Sequence, residues 1–200
     1  FMVHPRKILY PEQHLEFLNS NEEKQILLEK SGLENLIFFD FTKNFSELSA
    51  YDFVKEILVD KLKIRKLIFG YNHQFGKDRS GNFDSIRNCA KQFNFEVKKI
   101  DAELDNEIEI SSTVIRKALQ TGDLITANKY LGYNYFVRGI VVSGNKLGHK
   151  IGFPTANISI PKDKLIPLNG VYAATVEIEN NQYSGMLNLG FKPTILPEND

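Results

Sequence analysis

Between Gly139 and Asn157 the chain reads GIVVSGNKLGHKIGFPTAN. A short apolar strand (Ile140, Val141, Val142) leads into glycines at 144, 148 and 152, then into Phe153-Pro154-Thr155-Ala156-Asn157. Glycines at this density let backbone N–H groups approach a ligand closely. Successive N–H groups turned inward form a concavity suited to phosphate. Thr155 and Asn157 add a hydroxyl and a carbonyl oxygen, which share one face if the segment is extended; hard oxygen donors of this kind hold Mg²⁺. The same glycines would also serve a tight hairpin. Both readings stand on the glycines alone, and Thr-x-Asn favours phosphate and metal.

Two more segments carry chemistry. Gly70 to Gly81 (GYNHQFGKDRSG) follows a predicted strand and holds Gly70, His73, Phe75, Gly76, two cations and a third glycine, a set that suits a polyphosphate or simply a polar surface loop with glycine turns. In Ile110-Ser111-Ser112-Thr113-Val114-Ile115-Arg116, Ser111 or Ser112 is placed to cap a helix beginning near Thr113. Three hydroxyls, the free N–H groups and the positive end of the dipole suit an anion there. Arg116 lies one turn in and can fold back with a fork that fits phosphate. An ordinary serine cap with a solvated arginine is the plainer alternative.

The elements that must position these segments change character along the chain. Ser20 and Glu23 form a capping-box pattern opening a helix with Ile26, Leu27 and Leu28, stopped at Gly32. Leu36-Ile37-Phe38-Phe39 reads as a buried parallel strand. Ser49 caps a second helix carrying Phe53, Val54, Ile57, Leu58 and Leu62. The strand Leu67–Phe69, a helix over 83–93 and the strand Phe95–Val97 follow. This alternation predicts a parallel sheet covered by helices, with ligands outside the carboxyl ends of the strands. Asp123 restarts a short helix closed by Gly132. From about Asn134 only strands are expected: Tyr135–Val142, Ala156–Ile160, Val171–Ile178 and Tyr183–Leu189, with a hairpin turn at Asn180-Asn181. The fold class is therefore α/β followed by all-β, divided as residues 1–134 and 135–200.

The 200 residues are 42% hydrophobic, enough for a packed core, and 25 basic side chains balance 25 acidic ones. Without a basic excess, nucleic acid is not an expected partner. No apolar run has the length of a membrane span, and there is no signal-peptide pattern. The single cysteine, Cys89, rules out an internal disulfide, fits a reducing compartment and reads as inert helix packing, so a cytoplasmic location is expected. Nothing in the pattern sets an oligomeric state. Phe1-Met2-Val3-His4-Pro5 resembles a strand end more than a translation start, and Leu196–Asp200 closes just after a strand, so a stretch of a longer protein is expected.

Taken together and in order, these motifs resemble the bacterial bifunctional riboflavin kinase/FAD synthetase family. Phe1–Pro5 resembles its F-x-P-H-P segment, with Val3 where proline is usual. Gly70–Gly81 resembles its G-x-x-x-x-F-G loop, and Ser111–Arg116 its S-S-T-x-I-R motif. Gly148–Asn157 resembles G-R-x-x-G-F-P-T-A-N, with His149 where arginine is usual. Gly170-Val171-Tyr172 and Asn188-Leu189-Gly190 with Pro193-Thr194 resemble its G-V-Y and N-I-G-x-x-P-T elements.

The resemblance implies an α/β nucleotidyltransferase domain that adenylylates FMN to FAD, followed by a six-stranded β-barrel that phosphorylates riboflavin to FMN, both with ATP. It implies an adenylyltransferase ATP site at His4, Gly70, Phe75, Gly76, Ser111, Ser112, Thr113 and Arg116. It also implies a kinase ATP site at Gly144, Gly148, Gly152, Pro154, Thr155 and Asn157, with Mg²⁺ on Thr155 and Asn157. Arg116 and Asn157 are the residues expected to carry catalysis. Two family elements do not occur in these residues: H-x-G-H, which would lie upstream, and the kinase's catalytic glutamate, which would lie past residue 200. A molecule consisting of this stretch alone is expected to lack full machinery for both activities. A nucleotidyltransferase for another phosphate substrate with a passive β domain, or a non-catalytic flavin-nucleotide binder, are the rival readings.

Overall fold

Leu67 and Phe69 alternate with outward Lys66 and Ile68 along β1 (Lys66–Gly70), the period-two pattern of a strand with one covered face. β1 lies parallel to β2 (Glu96–Ile100), from Lys66↔Glu96 to Gly70↔Ile100, and α5 (Phe83–Phe93) makes the crossover. Asn82 starts α5 with a full capping box, its side chain accepting the Ser85 N–H while the Ser85 hydroxyl accepts the Asn82 N–H. Asn94 ends it in the left-handed conformation. The computed structural model describes residues 1, 3–144, 148, 152–179 and 181–190.

The described chain forms two compact units. The first comprises Phe1–Leu15 and Leu28–Ile110, the second Glu16–Leu27 and Ser111–Asp200. In the first, Val54, Leu58, Phe69, Ile86, Cys89, Ala90 and Phe95 make one buried cluster. Full burial of a side chain such as Ile86 contributes about 1.5–3 kcal/mol. Cys89 is part of this core, and burial pushes its thiol pKa up, which suits packing rather than reactivity. Short α1 (Pro5–Leu9), α3 (Lys43–Ser46) and the two-residue strands β3 (Leu104–Asp105) and β4 (Ile108–Glu109) complete this unit; α2 (Asn21–Lys30) begins in the second unit and ends in the first.

The helix capped by Ser49 differs from its expected form. Only α4 (Ala50–Asp52) is α-helical, and residues Phe53–Lys61 continue as a π-helix. The wider turns show in the hydrogen bonds: the Leu62 N–H donates to the Ile57 carbonyl, five residues back, at 2.9 Å. Leu36–Phe39 is not a strand. Leu36, Ile37 and Phe38 are exposed, and an apolar run becomes a strand only beside another backbone; among the described residues none pairs with it.

In the second unit, α6 (Ser112–Gln120) and α7 (Leu124–Leu131) pack Ile115, Ala118, Leu119 and Ala127 inward. Asp123 caps α7 through the Thr126 N–H, and Gly132 closes it. Two antiparallel pairs follow: β5 (Ile140–Val142) with β6 (Asn157–Ser159), and β7 (Gly170–Ile178) with β8 (Asn181–Leu189). Both strands of the first pair are shorter than expected. Before β5, the Tyr135 N–H is taken by Asn128 Oδ1 and the Arg138 N–H by Glu23 Oε1, so those donors are unavailable to a ladder. β6 narrows to the three residues that face β5. The hairpin turn also shifts: Asn181 pairs with Ile178, so it belongs to β8. Asn180 lies outside the described residues, as do His149, Pro193 and Thr194. Among the described residues every sheet has two strands, and no helix is long and apolar enough to cross a membrane.

Candidate functional site

The loop after β1 folds onto its own unit. Phe75 and Gly81 exchange backbone hydrogen bonds at 3.1 and 2.9 Å, closing residues 75–81 into a small ring. The Phe75 ring lies 5.6 Å from Phe53, 5.9 Å from Phe69 and 6.4 Å from His73, the last stacked. Gly76 has φ +73°, and a Cβ there would stand 2.6 Å from the Ala50 nitrogen. The Lys77 N–H donates to the Leu48 carbonyl at 2.8 Å, and its ammonium pairs with Glu47. Glu47, through the hydrogen bond and its charge, raises the Lys77 pKa. Gly70 ends β1, and its carbonyl accepts the His73 N–H. His4 caps α1, its Nδ1 accepting the Arg6 N–H at 3.2 Å.

Ser111 is the N-cap of α6, its hydroxyl accepting the Val114 N–H at 3.5 Å, which decides between the two serines. Ser112 and Thr113 are exposed on the first turn. The Arg116 Nη1 donates to the Glu16 carbonyl at 2.5 Å. These four residues belong to the second unit, whereas His4, Gly70, Phe75 and Gly76 belong to the first.

The Gly139–Asn157 stretch is built differently. β5 and β6 meet at Val142↔Asn157, which sets Asn157 at the mouth of the glycine-rich segment. A Cβ on Gly144 would lie 2.0 Å from Asn157 Nδ2. One on Gly148 would lie 2.2 Å from the Phe153 carbonyl and 3.1 Å from Thr155 Oγ1. The Phe153 N–H donates to the Gly148 carbonyl at 2.8 Å, tying the two ends of the loop. The structure therefore brings Gly144, Gly148, Thr155 and Asn157 together. Gly152, Pro154, Thr155 and Asn157 are all exposed. The donors are neutral oxygens, which suit a hard cation whose remaining ligands come from substrate phosphates. Among the described residues no cluster of three or more His, Cys, Asp or Glu could hold a metal by itself.

One polar centre escapes the sequence reading. Glu23 does close the capping box, its Oε2 accepting the Ser20 N–H at 2.8 Å. The same Oε2 lies 2.7 Å from Lys164 Nζ, and both side chains are fully buried. Lys164 also donates to the Leu18 carbonyl at 2.6 Å and sits 4.2 Å from the Tyr135 ring centroid. Burial pulls the Lys164 pKa down and Glu23 opposes it. Burial, reinforced by the Glu23 charge, pushes the Tyr135 phenol well above its ordinary range. Lys164 lies in Pro-Lys-Asp-Lys-Leu with no periodic pattern to mark it as internal; the aromatic run Tyr133-x-Tyr135-Phe136 was the available signal.

Comparison with known proteins divides the chain in sequence order. The FAD synthetase family model matches residues 1–114, and the riboflavin kinase model matches residues 131–199. A relative from Buchnera aphidicola subsp. Schizaphis graminum is 40% identical over 199 residues, covering 94% of this chain and 63% of its own. One from Listeria monocytogenes is 36% identical over 195 residues, covering 97% and 62%. One from Escherichia coli K12 is 32% identical over 174 residues, covering 86% and 55%. All three are described as bifunctional riboflavin kinase/FMN adenylyltransferase. A solved structure described as a macrolide-efflux protein from Streptococcus pneumoniae superposes with a TM-score of 0.81 at 31% identity, over 94% of this chain and 60% of that one. The chain thus spans somewhat under two thirds of the length of the relatives it matches. With the first model covering more than half of it and the second following in order, the chain belongs to the FAD synthetase family and carries a riboflavin kinase segment after it.

Proposed function

We propose that the full-length protein makes flavin cofactors, phosphorylating riboflavin to FMN and adenylylating FMN to FAD with release of pyrophosphate. ATP is the co-substrate of both steps, and the cytoplasm is where ATP and both flavins would meet the enzyme. The observation that carries the reading is the close approach of the Gly144 and Gly148 backbones to the side chains of Asn157 and Thr155, within a segment matching the riboflavin kinase family. The parallel β1–β2 pair would belong to a larger nucleotidyltransferase sheet in residues 1–134, and the two antiparallel pairs to a six-stranded barrel in residues 135–200.

In the kinase step the riboflavin 5′-hydroxyl attacks the γ-phosphate, the bond from the γ-phosphorus to the ADP oxygen breaks, ADP leaves, and the hydroxyl proton would pass to the family's catalytic glutamate; catalysis rests on positioning and charge neutralisation. Thr155 and Asn157 would hold Mg²⁺ through their side-chain oxygens. When bound, Mg²⁺ neutralises phosphate charge as it develops. Gly144, Gly148 and Gly152 keep the loop backbone bare of side chains so that its N–H groups reach the phosphates, and Pro154 orders the chain before Thr155. In the adenylyl step the FMN phosphate attacks the α-phosphate of ATP. The Ser111, Ser112 and Thr113 hydroxyls at the N-terminus of α6, with Arg116, stabilise the departing pyrophosphate. Gly70, Phe75 and Gly76 would shape the loop beyond β1, and His4 would serve the ATP side.

The test is direct. The full-length protein, given ATP, Mg²⁺ and riboflavin, should yield FMN and then FAD resolved by chromatography. Flavin binding with neither product formed would overturn the reading. FAD from supplied FMN without FMN from riboflavin would leave the synthetase half alone.

A further inference from the structure

Residues 16–23 are tied to other parts of the second unit by a run of hydrogen bonds. The Glu16 carbonyl accepts Arg116 Nη1 at 2.5 Å. The Phe17 N–H donates to the Asp163 carbonyl at 2.6 Å, and the Leu165 N–H donates to the Phe17 carbonyl at 2.8 Å. Lys164, between those two anchors, donates to the Leu18 carbonyl. Asn19 Oδ1 accepts the Tyr133 hydroxyl at 3.2 Å. Glu23 then accepts from the Ser20 N–H, the Arg138 N–H and the Lys164 ammonium. All of these groups lie in the second compact unit.

A buried ammonium without its carboxylate, or the reverse, is a charge out of water with no partner. The pair therefore makes the segment's position nearly all-or-none: while Glu23 and Lys164 meet, Leu18 is held, and Glu16 two residues before it is fixed as well. Arg116, a long side chain with several rotatable bonds, gains one defined carbonyl to lean on. Glu23 falls in the part matching FAD synthetase, and Lys164 in the part matching riboflavin kinase.

We propose that Lys164 is a positioning residue for Arg116: through Glu23 and the 16–23 segment, a side chain of the riboflavin kinase part sets the arginine used in adenylyl transfer. The proposal rests on the reading of Arg116 given above.

The test is a kinetic double-mutant cycle in the full-length protein, measuring FAD formed from supplied FMN. Lys164→Met lowers kcat/KM for ATP by about tenfold, the scale of one misplaced charge-assisted hydrogen bond. In an Arg116→Ala background it lowers it no further, because partners acting through one another are non-additive. Independent, multiplying losses would overturn the proposal. Lys164→Met alone leaves a buried unpaired carboxylate, so Glu23→Leu/Lys164→Met, which removes both charges, serves as the folding control. Its thermal midpoint returns toward that of the parent while kcat/KM stays low. Recovery of activity with stability would show Lys164 to be a stabilising residue only and sink the idea. A second readout needs no activity: glutamyl endopeptidase should cut faster after Glu16 in both Lys164 variants. If the parent protein makes no FAD, the functional reading fails, and this cutting rate alone decides the latch; an unchanged rate overturns it.

Discussion

Two glycine-bearing loops, one in each compact unit, are both expected on sequence to bind phosphate, and they are built in opposite ways. In residues 70–81 the space a side chain would fill at Gly76 is taken by the α4 backbone, and that at Gly81 by the Phe75 ring, 2.7 Å away. Lys77 is committed to Glu47 and Leu48. That loop is held closed by its own unit. In residues 139–157 the space at Gly144 and Gly148 is taken by polar groups, chiefly the Asn157 amide, the Phe153 carbonyl and the Thr155 side chain. The Thr155 and Asn157 side chains are exposed. A missing Cβ filled by core marks a glycine kept for packing, whereas one filled by candidate ligand atoms marks a glycine kept for the site.

The same substitution should therefore act differently in the two loops. Gly76→Ala forces a Cβ against the Ala50 backbone at a φ of +73° and should cost about 3 kcal/mol, read by urea unfolding. A loss under about 1 kcal/mol would mean the loop can open, and the contrast fails. Gly144→Ala meets first the Asn157 side-chain amide, which can swing aside. Its stability cost should stay below about 1 kcal/mol, while FMN formation falls about 10–100-fold as Asn157 is displaced. Unfolding as severe as that of Gly76→Ala would erase the distinction.

The smallest effect concerns protons in the second unit. Tyr133 and Tyr135 are both raised above the ordinary value of 10.0, chiefly by burial. Above about pH 10 the unfolded chain loses these protons while the folded chain keeps them, so the native state binds more protons and stability falls with rising pH; below that value the contribution is fully present. Of the eight tyrosines, these two should titrate last in ultraviolet absorbance and together with unfolding. All eight ionising near pH 10 with the fold intact would contradict the buried centre.

Local chemistry was legible in the residues. The Phe83–Phe93 helix, the parallel β1 and β2, a serine cap at Ser111 or Ser112 and the helix between Asp123 and Gly132 follow from caps, periodicity and glycine stops, which act over a few residues. What escaped depends on partners far along the chain. Leu36–Phe39 has strand composition but no paired backbone among the described residues, and the Tyr135 and Arg138 donors go to Asn128 and Glu23 instead of a ladder. Glu23 shows its cap in sequence, but its ion pair with Lys164 spans 141 residues and leaves no local trace. At the site, Thr155 and Asn157 are singled out by their spacing as candidate ligands; the bond of Arg116 to the Glu16 carbonyl has no local sequence signal.

On the proposed function, the glycine loop of the second unit serves riboflavin phosphorylation alone. Asn157→Ala in the full-length protein tests it most directly, with FMN formed from riboflavin and FAD formed from supplied FMN measured side by side. The account predicts that FMN formation falls at least about 100-fold while adenylylation of supplied FMN continues near the parent rate. Equal loss of both activities, with circular dichroism unchanged, would contradict it.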